Sequence, residues 1–335
     1  MDHAKKPPTI YEVAALAGVS ITTISRVLNA PEKVNPATRA RVLNVIDKLA
    51  FVPRAEARAR ALQQTGRIGV ITPFFTAPSF VQRLRGIAGA LSSTNYELVI
   101  YTVDSLEHLQ GYLSSLPLRG NVDGLIVISL PVHDKQAKRL RKHGLPTVLI
   151  EYPNRALNSV EIDYMEGGRI AARHLIEKGH VRLAFLGDTK PPDYAIHPAT
   201  LRQRGFREFV QKAGIALPSC YVRSAPSAVE PTHRAATELL TMKEPPSAIF
   251  AASDFQALIV LKLARQLGIR VPQDLAIVGF DDLDMAEYED LTTIRQHLDE
   301  SGRLAVEILL PHIDDAACPP KHVQLPLELV ARSTT

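Results

Sequence analysis

The sequence predicts a small all-α headpiece followed by a larger α/β core of two doubly wound parallel-sheet subdomains. Three observations predict it. The first fifty residues read as three short helices. From Arg67 onward, Val/Ile-rich runs alternate with amphipathic stretches, and this βαβ rhythm argues parallel sheets covered by helices on both faces. The rhythm runs through two successive series, as two similar subdomains would. A chain of 335 residues is long enough to bury a core in each part.

The headpiece is justified element by element. In TIYEVAALAGVSITTISRVLN, Thr9 is an N-cap and Glu12, three residues on, completes a capping box before an apolar run. Val13, Leu16 and Ala17 are expected on the inward face. Gly18 suits a sharp turn, Val19 its corner, and Ser20 the cap of a second helix. There Ile24, Val27 and Leu28 point inward, leaving Ile21, Thr22, Ser25 and Arg26 outward. Small polar residues and one Arg on that face can approach base edges in a DNA major groove. Asn35 and Pro36 start a third helix with Val42, Leu43, Ile46 and Leu49 as its apolar stripe.

Charge follows the same division. Residues 1–60 hold ten Lys/Arg against five Asp/Glu, whereas the remainder hold 29 against 30, so the positive charge gathers where a polyanion would bind. The content of 46% hydrophobic and 22% charged residues is ordinary for a globular protein. No run of about 18 apolar residues suggests a membrane span, and MDHAKKPPT lacks the apolar heart of a signal peptide. Cys220 and Cys318 are the two cysteines, expected as reduced thiols in the cytoplasm.

Residues 1–8 read as a tail because Pro7 and Pro8 resist a helix interior. After Val52-Pro53, PRAEARARALQQTG reads as a linker helix too poor in apolar surface to stand alone. The first core series runs RIGVITPF, SFVQRLRGIAGALSS, YELVIYTVD, LQGYLSSLPL, DGLIVIS, KQAKRLRKHG and TVLIEY. The second runs from GGRIAARHLIEKG through VRLAFLGD, ATLRQRGFREFVQKAG, CYVRSA, THRAATELLT, SAIFAAS and DFQALIVLKLARQLG to LAIVGFDD. Ligands in open α/β sheets sit beyond the carboxyl ends of the strands, so polar residues there are candidates. They are Asp281 in VGFDD, Asp254 after IFAAS, Glu151-Tyr152 after TVLI, and Arg202 early on its helix. Carboxylates accept from vicinal hydroxyls, Arg donates to ring oxygens, and an aromatic ring stacks on an apolar sugar face.

TIYEVAALAGVSITTISRVLN with VNPATRARVLNVIDKLAFVP resembles the headpiece of the lac repressor/gal repressor family of bacterial transcription regulators. AIFAASDFQALIVLKLARQLGIRVPQDLAIVGFDDLDMAEYEDLTTIRQ and LPLELVARS are similar to that family's effector-binding core. The resemblance covers nearly the whole chain. It implies a periplasmic-binding-protein-like core and divides the chain into a headpiece at 1–52, a hinge helix at 53–65 and a core at 66–335. The core would comprise an N-subdomain at about 66–161 and 294–322 and a C-subdomain at about 162–293 and 323–335. Hinge strands are expected near Val160–Asp163, Thr292–Gln296 and His322–Leu325.

The same resemblance implies the sites. Thr22 and Arg26 would reach base edges, Ile21 a thymine methyl, and Thr23, Ser25 and Asn29 the phosphates, with Thr9, Tyr11 and Ser20 on the same DNA face. In the hinge, Pro53, Ala57 and Arg58 match the family pattern and would enter the minor groove. Two positions depart: Arg54 stands where Asn is common, and Arg60 where the family places a Leu wedge. An apolar wedge kinks a base step, whereas Arg prefers a narrow, electronegative groove, so a weaker bend or Leu62 as the wedge is expected. At the cleft, Arg202, Asp281, Ser253 and Asp254 match effector-contacting positions, and Phe75, Phe80 and Tyr152 match apolar ligand-facing ones. Ser253 replaces a usual Asn, and Glu151 a common Asp.

No nucleophile elbow, Walker A, dinucleotide fingerprint or H-E-x-x-H is present, and His174 and His180 do not share a helical face, so neither catalysis, cofactor nor metal is expected. The expected function is a DNA-binding regulator, most simply a repressor, acting as a homodimer on a pseudo-palindromic operator under control of a sugar-like effector. Without a heptad tail after LVARS, a dimer is expected over a tetramer. The alternatives are a family regulator controlled by a protein partner and a stand-alone solute-binding protein.

Overall fold

Thr9 accepts from the Glu12 backbone N–H while the Glu12 carboxylate accepts from the Thr9 N–H, so helix α1 (Ile10–Ala17) starts in a complete capping box. Gly18 ends it at φ +61°, the left-handed region that disfavours a side chain. Ser20 caps α2 (Ile21–Asn29) by accepting from the Thr23 N–H at 3.2 Å. The axes of these helices meet at 101°, within the range of a helix–turn–helix. Asn35 caps α3 (Pro36–Leu49), with Pro36 in its first turn.

Val13, Ala14, Ala17, Ile24, Val27, Val42 and Phe51 form the headpiece core. Two residues expected in it face outward: Leu16 is 63% exposed and Leu43 38%. The inward stripe of α1 centres on Val13, Ala14 and Ala17, which turns Leu16 away, and α3 uses Val42, Val45, Ile46 and Leu49, a 3–4 spacing that leaves Leu43 outside.

The computed structural model describes residues 8–29, 33–51, 65–189, 192–315 and 318–335. It divides into two units, Met1–Thr65 and Gly66–Thr335. Arg54, Ala57, Arg58, Arg60 and Leu62 of the expected hinge helix, and most of the N-terminal tail, lie outside the described residues.

The second unit opens with β1 (Arg67–Thr72), α4 (Pro78–Leu91), β2 (Glu97–Thr102), α5 (Leu106–Arg119), β3 (Gly124–Ile128), α6 (Asp134–Lys142), β4 (Thr147–Ile150) and β5 (Asn158–Ile162). It continues with α7 (Tyr164–Glu177), β6 (Leu183–Asp188), α8 (Pro198–Lys212), β7 (Val222–Ala225), α9 (Val229–Leu240), β8 (Ala248–Ala251), α10 (Asp254–Gln266) and β9 (Ala276–Asp281). After them come α11 (Asp284–Tyr288), β10 (Thr292–Arg295), α12 (Leu298–Asp314), β11 (His322–Leu325) and β12 (Glu328–Val330). No single helix among the described residues is long and apolar enough to cross a membrane.

The strands form two six-stranded sheets, β11-β5-β4-β3-β1-β2 and β12-β10-β9-β8-β6-β7. All pairs run parallel except β10 with β12, where Ile294 faces Leu329 in an antiparallel edge. Every residue of β3, β4, β8 and β9 is buried, as strands covered on both faces must be. The order is the same in both lobes: the first strand lies between the second and third, so each sheet has its switch point between its first and third strands.

The chain crosses between sheets three times: from β5 into α7, from β10 into α12, and from β11 into β12. β10 stays in the second sheet through Arg295 and β11 in the first through Leu325. The latter two crossings therefore fall at 296–297 and 326–327, slightly beyond the expected boundaries, because strand pairing persists to those residues. Helix α12, not foreseen as an element, packs its Ala305, Val306, Ile308 and Leu309 into the first sheet's core.

Candidate functional sites

The headpiece presents one face of α2. Ile21, Thr22, Ser25 and Arg26 are exposed there, while Ile24 and Val27 anchor the opposite face. Thr23 is half-buried, its hydroxyl 2.9 Å from that of Ser20, so both brace the turn before they reach anything outside. Thr9 is spent in its capping box, and Tyr11 on α1 is 70% exposed. Asn29 ends α2, and its side chain lies outside the described residues.

The second unit holds a cavity of about 390 Å³ between the carboxyl ends of its two sheets. Its wall takes Phe74, Ser79, Phe80, Arg83, Ser129 and Glu151 from the first lobe, and Asp188, Thr189, His197, Arg202, Ser253 and Asp281 from the second. Gln296, on a crossover, also lines it. The backbone N–H of Ile196 donates to the Ser129 carbonyl at 3.3 Å, so the loop before α8 reaches across to the first lobe.

On the second-lobe side, Arg202 is buried with its guanidinium 3.6 Å from the centre of the Phe280 ring and 4.7 Å from that of Tyr164. It donates to the Ala252 carbonyl and stands 3.7 Å from the Asp281 carboxylate. Asp281 accepts from the Gln296 amide. Burial pushes its carboxyl up to about 6, with Arg202 and Arg83 pulling the other way. Burial likewise raises Asp188, partly offset by Arg202.

On the first-lobe side the guanidinium belongs to Arg83, which the sequence reading did not select. Its side chain is 2% exposed, ion-paired with Glu151, and donates to the Gln296 carbonyl oxygen at 3.0 Å. Glu151 also accepts from Ser129 and from the Tyr164 hydroxyl. Burial alone would raise the Glu151 carboxyl, but Arg83, with Ser129 and Tyr164 donating, holds it below the usual range. Burial and the Glu151 charge push the Tyr164 phenol up, so it stays a donor.

Three residues expected at the cleft lie elsewhere. Phe75 does not line the cavity; the neighbouring Phe74 does, edge-on to Phe80. Tyr152 turns its hydroxyl to His133 Nδ1 at 3.3 Å; the aromatic in the polar network is Tyr164. Asp254 is fully buried behind the cavity, accepting from the Leu283 N–H at 2.8 Å and the Thr293 hydroxyl at 2.5 Å. Burial and the nearby Asp281 charge raise its carboxyl well above the usual range, so it ties α10 to β10 as a structural acid. Ser253 does line the cavity, while its hydroxyl caps α10 through the Gln256 N–H. Among the described residues no cluster of His, Cys, Asp and Glu could hold a metal, and Cys220 and Cys318 are free thiols.

Comparison with known proteins joins the two sites. Residues 9–54 match the model of bacterial regulatory proteins of the lacI family, and residues 172–335 that of a periplasmic binding protein-like domain. The chain is 31% identical over 331 residues to the ribose operon repressor of Escherichia coli (strain K12), covering 97% of this chain and 99% of that one. Among solved structures, the transcriptional regulator CelR–cellobiose complex is 31% identical, with 98% of this chain and 100% of that chain covered and a TM-score of 0.69. The lac repressor dimer bound to operator and the anti-inducer ONPF is 27% identical, with 98% and 99% covered and a TM-score of 0.79. The chain belongs to the lacI family of bacterial regulatory proteins.

Proposed function

We propose that this protein is a sequence-specific DNA-binding repressor whose operator affinity is set by a sugar bound between the two lobes of its core. The carrying observation is the joint presence, in one chain, of a helix–turn–helix with a solvent-facing second helix and a cleft lined by Arg202, Asp281 and Phe80 at strand ends. Acting in the cytoplasm as a homodimer, it reads one half of a pseudo-palindrome with each headpiece. Thr22 and Arg26 contact base edges, Ile21 a thymine methyl, and Tyr11, Ser25 and Asn29 the backbone. The sugar's hydroxyls donate to Asp281, Arg202 donates to its oxygens, and Phe80 covers an apolar face. Binding changes the lobe angle only as far as the sugar prefers one lobe arrangement to the other.

Fluorescence anisotropy with DNA from upstream of the protein's own gene tests the reading, repeated with D-ribose, cellobiose and a wider sugar panel. Tight binding that weakens with salt and shifts about tenfold with one sugar is the expected result. Binding that ignores every sugar would replace the sugar with a protein partner as the input. No binding at low salt would overturn the headpiece reading.

A further inference from the structure

The two lobes carry the same R-x-R-G pattern at the same place. Arg83-Leu84-Arg85-Gly86 lies on α4, the first helix after the first strand of lobe one, and Arg202-Gln203-Arg204-Gly205 on α8, its equivalent in lobe two. Each glycine is a point of helix contact. A Cβ on Gly86 would stand 1.9 Å from the Asp299 carbonyl oxygen of α12, and one on Gly205 the same 1.9 Å from that of Met165 on α7. One turn before each contact, an arginine enters the cavity. Each faces a carboxylate at the end of its lobe's fourth strand, Glu151 after β4 and Asp281 closing β9, and both carboxylate residues turn through positive φ, +77° and +123°. Gln296 joins the pairs, accepting from Arg83 and donating to Asp281.

Unpartnered donors on both arginines point to a ligand. Arg83 Nε and Arg202 Nε are buried and find no hydrogen-bond partner among the described residues. A buried N–H without an acceptor is costly, so an acceptor arriving in the cavity is favoured at each end. Glu151 offers little to such a ligand, since its two oxygens already accept from Tyr164, Ser129 and Arg83.

We infer that Arg83 is a second effector-binding residue, the first-lobe counterpart of Arg202, and that the effector is clamped between one guanidinium from each lobe. This rests on the sugar reading above. Glu151 aims Arg83, and the sugar accepts from Arg83 at one end while it engages Arg202 and Asp281 at the other. A molecule held this way bridges the lobes directly, which is how its binding free energy reaches their relative angle.

Calorimetric titration tests it, using D-ribose, cellobiose and their monodeoxy derivatives against the full chain, Arg83→Lys and Arg202→Lys. Lysine keeps a cation beside each carboxylate and so protects the fold, but it lacks the guanidinium fork. The expected result is a loss of about tenfold or more in sugar affinity for Arg83→Lys. That loss should vanish for one deoxy analogue, while the Arg202→Lys loss vanishes for a different one. An Arg83→Lys affinity within about threefold of the parent, or a loss equal for every analogue, would overturn the inference and leave the sugar reading standing. No binding of any of these sugars to the parent chain would overturn both.

Discussion

Arg83 and Glu151 are in direct contact at the first-lobe end of the cleft, with three protein donors on the carboxylate and its ionised form favoured. Arg202 and Asp281 stand 3.7 Å apart at the other end, with the guanidinium spread on two aromatic rings and the carboxyl raised to about 6. The residue types and their places in the two lobes match, yet one pair is closed on itself and the other is open. A closed pair holds its partner's aim; an open pair keeps lone pairs for a ligand. The cleft thus divides its labour, the first lobe supplying a rigid donor and the second an adaptable donor–acceptor set.

Cutting the closed pair has the largest expected effect. Glu151→Leu leaves a buried guanidinium without its counter-charge, and urea denaturation is expected to show a loss of about 3–5 kcal/mol. The double variant Arg83→Leu/Glu151→Leu removes both charges and is expected to recover most of it. At the open end, Asp281→Asn removes a carboxyl that already resists ionisation and is expected to cost far less. Equal losses for Glu151→Leu and Asp281→Asn would erase the distinction between the two ends.

The glycine contacts test the likeness of the lobes and not their difference. Gly86→Ala and Gly205→Ala each drive a methyl into a backbone carbonyl, and each is expected to lose about 1–3 kcal/mol by the same assay. Gly89→Ala, on α4 where nothing stands within 4 Å of the new carbon, is expected to be neutral or stabilising. A large loss for one of the first two and none for the other would end the equivalence of α4 and α8.

Much of this was legible in the sequence because local signals agreed with the global fold. The capping box at Thr9, the turn at Gly18 and the Val/Ile-rich strands each act over a few residues, and each appears where expected. Arg202 and Asp281 could be read as cavity residues because strand ends are where α/β sheets place them. Arg83 could not: an Arg on an amphipathic helix reads as solvated, and it is buried only because Glu151, from a strand far along the chain, arrives beside it. The choice of Phe74 over Phe75 and Tyr164 over Tyr152 depends on how the chain turns just past a strand or crossover, which alternation alone does not specify. Asp254 misled for a related reason: one carboxylate at a helix start serves equally as ligand contact or as an internal tie, and Thr293 decided it.

The smallest effect separates the ends by pH. Asp281 has a folded value of about 6 against an ordinary 3.8, so its contribution to stability is full below about pH 4 and is lost as pH rises through about 6. Glu151 is lowered, so its contribution is present above its ordinary 4.5 and is lost only as pH falls through its folded value. Sugar binding should follow the open end. Protonating Asp281 exchanges a charge-assisted hydrogen bond for a neutral one, a loss of about 1 kcal/mol or about fivefold in affinity as pH falls below 6. Calorimetry from pH 5 to 8 on the parent chain should show that decline, and Asp281→Asn should flatten it. A decline that persists unchanged in Asp281→Asn would move the titrating group elsewhere, with Asp188 on the same wall as the next carboxyl to replace.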